Sequence, residues 1–167
     1  MKLIKNINLY APEHLGNKDV LIIGDKIAKI EEAGCMPEIP YLTAEDIIDG
    51  SGKILTPGFI DCHVHILGGG GEGGFANRTP EATVEGLTKF GVTTVVGCLG
   101  TDGIGRDMCA LVAKAKGLCE QGMSAYCYTG SYQIPVTVKL PEGFELLDDV
   151  VADVTISEVS NSDTNNE

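Results

Sequence analysis

After Pro57-Gly58 the sequence changes rhythm, and that change restricts the folds open to it. Residues 59–66 form a short apolar run, residues 92–99 a continuous β-branched one, and residues 124–129 a third. Between them lie two helical stretches. The first is predicted to start with Thr79 as N-cap and Pro80 in the first turn, to close at Gly91, and to gather Val84, Leu87 and Phe90 near one face. The second spans about 107–121, with Leu111, Ala115 and Leu118 in helical spacing. Strand, helix, strand, helix, strand is the pattern of an α/β protein with a parallel sheet. Residues 92–99 read as a strand buried on both faces.

The preceding 56 residues read differently. Residues 1–9, 19–23 and 26–30 are strand-like, and Gly24-Asp25 between the last two predicts a hairpin. Residues 34–41 hold Pro37 and Pro40 and read as a loop, and 46–49 with 53–55 predict a second hairpin around Gly50-Ser51-Gly52. The expected organisation is a small β subdomain over 1–56, a β/α portion over 57–140, and an acidic tail over 141–167. In that tail 144–154 suits helix or strand, and the polar end from Ser157 suits disorder.

The tail holds eight acidic residues and no Lys or Arg, so two thirds of the −12 net charge belongs to it. Even so, an acidic chain with 5% aromatics and no Trp is a poor match for nucleic acid or an anionic membrane, which need a positive surface. The first fourteen residues have neither a long apolar core nor a cleavage site, and no apolar run approaches the ~18 residues of a membrane span. The six cysteines include no CxxC pair and read as buried free thiols of a cytoplasmic protein. His14, beside Pro12-Glu13, reads as a surface residue.

The chemistry concentrates at the end of the first apolar run. His63 and His65 stand two apart, which on a strand puts both imidazoles, and Asp61 with them, on one face. Two imidazoles at the end of a buried strand suit a divalent cation, with Asp61 as a possible third contact. The glycine-rich stretch that follows, 68–74, lacks the Gly-Lys-Ser/Thr ending of a phosphate loop and the spacing of a dinucleotide fingerprint.

The run PGFIDCHVH resembles the first barrel strand of the amidohydrolase superfamily, whose members bind metal there. The next stretch, GGGGEGGFANRTPE, resembles the isoaspartyl (β-aspartyl) dipeptidases, and the likeness covers roughly 1–136, including 91–102 and YTGSYQIP at 128–135. The resemblance implies the N-terminal portion, about three strands, of a metal-dependent (β/α)8 barrel and the hydrolysis of isoaspartyl dipeptides. It implies His63 and His65 as metal ligands, Glu72 as receiver of the substrate amine, Thr101 as a substrate contact, and Tyr132 as the catalytic group that polarises the scissile carbonyl. It also implies two zinc ions per complete site, bridged by a carboxylated lysine and held by later histidines and an aspartate, in a homo-oligomer. Beyond Tyr132 this sequence has one lysine, Lys139, placed too early for the bridge, and no histidine; Val154 or its neighbours stand where the lysine is expected. The expectation is therefore a truncated chain with negligible peptidase activity. The alternatives are a non-catalytic remnant, a fragment needing a complementary segment, or another amidohydrolase such as a cyclic-amide hydrolase.

Overall fold

A computed structural model describes residues 1–130 and Tyr132. The readings at Lys139, Val154 and the acidic tail lie outside the described residues. The chain divides into two compact units, Met1–Gly58 and one that begins at Phe59.

The first unit is a five-stranded sheet. Strands β1 (Lys2–Tyr10), β2 (His14–Ile23) and β3 (Lys26–Glu32) run antiparallel, and β4 (Ile47–Asp49) and β5 (Ile54–Leu55) both lie parallel to β1. The Gly24-Asp25 hairpin forms as the sequence suggests. The second expected hairpin does not form, because β4 and β5 each bond to β1 instead of to one another. The Gly50 amide donates to the Lys5 carbonyl at 2.8 Å and the Asn8 amide to the Lys53 carbonyl at 3.1 Å, so the connection is stitched along β1.

Midway along β1, Asn6 takes φ 53° and its pairing with β2 shifts register, which is a bulge. Asp19 holds it. This carboxylate is 1% exposed, and it accepts from the Asn6 amide at 2.8 Å and the Gly34 amide at 3.0 Å. Ile7, Leu9 and Val20 form the small apolar core beneath.

The second unit is a three-stranded parallel sheet in sequential order: β6 (Phe59–Val64), β7 (Val92–Gly97) and β8 (Ser124–Cys127). Parallel neighbours in chain order, each pair joined through a helix, are the way a (β/α)8 barrel opens. The second helix, α2 (Met108–Glu120), is capped by Asp107, whose side chain accepts from the Ala110 amide. Met108, Leu111, Val112, Ala115 and Leu118 are its buried face, packed with Ile66, Val95 and Met123. A Cβ on Gly97 would stand 2.6 Å from Ile66 Cδ1, so glycine there lets Ile66 seat fully against the sheet.

Three expectations need correction. The first helix, α1 (Val84–Thr88), is short and capped by Thr83 instead of Thr79. Thr79 is already engaged, because its hydroxyl accepts from the Gly69 amide at 2.7 Å, and the Ala82 amide reaches back to the Ile66 carbonyl. Val84 and Leu87 pack on the core, but Phe90 is 72% exposed. Strand β7 buries Val95 and Gly97 while Thr93 is exposed and Thr94 and Val96 are half-buried, so among the described residues only one face is fully covered. The cysteines are all free, but four are exposed and only Cys98 and Cys127 are half-buried.

Candidate metal centre

His63 ends up within β6, and His65 just past its end. Their rings meet edge to face, centroids 5.6 Å apart. The neighbouring strand brings a third donor, because the Cys98 amide bonds to the Val64 carbonyl at 2.9 Å and so aligns the end of β7 with the histidine pair. Ligand atoms of His63, His65 and Cys98 all lie within 4.8 Å of one another.

The Nδ1 of His65 faces Cys98 twice over, 3.3 Å from its carbonyl oxygen and 3.5 Å from its Sγ. With the proton on Nδ1, the ring donates to the carbonyl and Nε2 keeps a free lone pair. With the proton on Nε2, the Nδ1 lone pair faces the sulfur. Burial raises the Cys98 thiol pKa, and the Asp61 carboxylate adds to the rise. Asp61 does not join the donor group as its position in the strand suggested. Its Oδ1 accepts from the His63 amide at 3.1 Å, the local turn that a short acid makes two residues ahead of an amide.

These donors fit a borderline-soft divalent cation, for which imidazole nitrogen and thiolate sulfur are the ordinary protein ligands. Sequence reasoning missed Cys98. Its signal is faint: a sulfur directly after the strand that neighbours the histidine pair in a parallel sheet.

The glycine stretch packs beside this group. Glu72 has its carboxyl pKa lowered by its own backbone amide first, then by the Thr101 hydroxyl, with attraction to His65 adding to both. The Thr101 hydroxyl also lies 3.3 Å from the Gly70 carbonyl. The loop that bears Glu72 therefore touches both other positions singled out in the sequence, Thr101 through Gly70 and His65 through Gly69. Tyr132 is 65% exposed.

The loop is fastened at its stems. Arg106 donates to the carbonyls of Gly69 and Thr79 at 3.0 and 3.1 Å, and the Gly71 amide to the Asn77 carbonyl at 2.7 Å. Asp102, 7% exposed, accepts from the Ile104 and Gly105 amides and pairs with Arg78 at 2.6 Å. The Gly105 amide is the largest cause of its lowered carboxyl pKa. Gly68, at φ 87°, passes so close to the Thr79 carbonyl that no Cβ would fit. Arg78 and Arg106 are the only arginines in the sequence, and both serve this loop.

No protein-family model matches the sequence. Among solved structures, a β-aspartyl dipeptidase from Fervidobacterium islandicum, in complex with a β-Asp-Leu dipeptide, is 48% identical with a TM-score of 0.71 over 82% of this chain. The chain resembles the N-terminal part of a β-aspartyl dipeptidase of the amidohydrolase superfamily. It spans 35% of that enzyme's length. Two curated relatives are similar over shorter stretches. A dihydroorotase of Staphylococcus aureus is 38% identical over 95 residues, 57% of this chain and 20% of the relative. An imidazolonepropionase of Acidiphilium cryptum is 36% identical over 70 residues, 41% of this chain and 18% of the relative. Among the described residues, no helix is long and apolar enough to cross a membrane.

Proposed function

We propose that this sequence supplies the metal-binding strand and the amine-recognising loop of a zinc-dependent β-aspartyl dipeptidase. The observation that carries the reading is the packing of the Glu72 loop, in which Gly69 lies against the His65 ring and the Gly70 carbonyl meets the Thr101 hydroxyl at 3.3 Å. Glu72, exposed at the tip of that loop, would stand on the side of the histidine that would hold the cation. That carboxylate would receive the α-ammonium of the dipeptide by a charge-assisted hydrogen bond. The loop, stapled at its stems by Arg106 and by the Gly71–Asn77 bond, would set the distance of Glu72 from the histidines. Tyr132 would donate to the oxygen of the scissile carbonyl as charge builds there. A cation held by His63 and His65 would supply Lewis acidity and an activated water.

The similarity to dihydroorotase favours a second reading, hydrolysis of a cyclic amide, whose substrate has no free ammonium for Glu72 to bind. A chimera separates the two. Residues 1–130 replace the matching part of the solved β-aspartyl dipeptidase, and the product is assayed on β-Asp-Leu and on dihydroorotate. Hydrolysis of the dipeptide is expected, with kcat/KM falling roughly ten- to hundred-fold in Glu72→Gln. A folded chimera that opens dihydroorotate and leaves the dipeptide intact would overturn the reading. The 167-residue chain alone is expected to show no turnover with added zinc, since the sequence outside His63 and His65 contains only one further histidine, His14, an exposed residue of β2.

A further inference from the structure

We propose that Cys98 is itself a metal ligand, completing with His63 and His65 a two-nitrogen, one-sulfur site for a divalent cation of the zinc type. The proposal rests on the reading that the histidine pair holds metal and adds a donor to it.

Three observations meet here. The donor atoms of the three residues lie within 4.8 Å of one another. The sulfur is 3.5 Å from His65 Nδ1. Tetrahedral zinc with bonds of about 2.0–2.1 Å to nitrogen and 2.3 Å to sulfur sets its N and S ligands about 3.6 Å apart, so this pair already stands at ligand spacing. Finally, Cys98 is fixed by main-chain bonding to Val64, the residue between the two histidines, so it reaches the site from a braced strand end.

On binding, the thiol proton leaves to solvent and a sulfur lone pair forms the bond to the cation; nothing is oxidised or reduced. His65 would ligate through Nδ1, with its proton on Nε2. A thiolate in the set favours zinc or cobalt over magnesium or manganese, which prefer oxygen. It also gives the site three protein ligands from two strands, the usual number for a zinc site with one open position.

Cobalt(II) titration of the reduced 167-residue chain reads the sulfur directly. A near-ultraviolet thiolate-to-cobalt charge-transfer band is expected, saturating at about one equivalent. Cys98→Ser should abolish the band and weaken cobalt affinity by about tenfold or more, while Cys62→Ser should retain both. Metal should also slow alkylation of Cys98 in the unsubstituted chain, mapped by mass spectrometry, a readout that needs no variant to fold. A cobalt complex without the band, a band that survives in Cys98→Ser, or an unchanged alkylation rate would each overturn the proposal. The first of these leaves the histidine pair as a metal site and the dipeptidase reading standing. Failure to bind cobalt at all would also overturn it, and the chimera would still decide the dipeptidase reading independently.

Discussion

Both units spend a buried carboxylate on backbone amides, and they differ in what else they hold. In the first, the deeply buried carboxylate is fully spent on backbone: Asp19 takes two amides and holds a bulge in shape. In the second, the groups at the strand ends keep spare capacity. His63 and Glu72 are exposed, and His65 is half-buried with one ring nitrogen to offer in either tautomer. The apolar side differs too. Nine buried apolar residues form one cluster on and around α2 and β7, whereas β1 and β2 bury five, of which three pack as a cluster. The unit that keeps these donor groups at its strand ends carries the larger core, which fits the general cost of holding reactive groups in place.

The contrast breaks most sharply at Leu111, which is fully buried in the larger core. Leu111→Ala should cost about 2–5 kcal/mol, read by denaturant unfolding, with faster hydrogen exchange in β7 and α2. A cost under about 1 kcal/mol would mean that this core is looser than its burial suggests. Asp19→Ala comes next, since it strands two amides of the first unit at about 1–3 kcal/mol each. Its mark would be lost protection at Asn6 and Gly34. Asp107→Ala removes a helix cap and should cost about 1 kcal/mol.

A pH titration sharpens the comparison at the loop. Glu72 and Asp102 both have lowered pKa values in the folded protein. Their contribution to loop order is therefore complete above the unfolded carboxylate range of about 4 and lost only as pH falls through the lower folded values. The protection factors of the Gly71 and Gly105 amides, with the intrinsic pH dependence of exchange divided out, should hold steady down to about pH 4 and fall below it. A fall already near neutrality would contradict the assignment. The smallest effect belongs to His14→Ala. His14 stacks on Tyr10 and meets Asn8 at the surface, so stability should move by no more than about 0.5 kcal/mol.

Local signals carried over well where the structure is local. Gly24-Asp25 makes its hairpin, and Leu111, Ala115 and Leu118 face the core as their spacing predicts. The misreadings share one physical cause: a group that looked locally committed was taken by a distant partner. Thr79 suits a helix cap, but the Gly69 amide claims its hydroxyl. Residues 46–55 look like a hairpin, but β1 offers both halves a parallel edge. At the site, His63 and His65 are legible because period two alone puts them together. The roles given to Glu72, Thr101 and Tyr132 came from family resemblance, since nothing in their spacing shows that a loop and a neighbouring strand converge. Cys98 was missed for the same reason, and so was Arg106, which comes from the segment after β7 to fasten the glycine loop.

That loop has a consequence for how specificity can drift. Its stems are tied by Arg106, by Arg78 with Asp102, and by the Gly71–Asn77 bond, while Glu72 and Phe75 at the tip stay exposed. Tip residues between those ties can be exchanged without disturbing the strands that hold the histidines. On the proposed function, a lineage could test new substrates by substituting a handful of residues while leaving the histidine strand untouched.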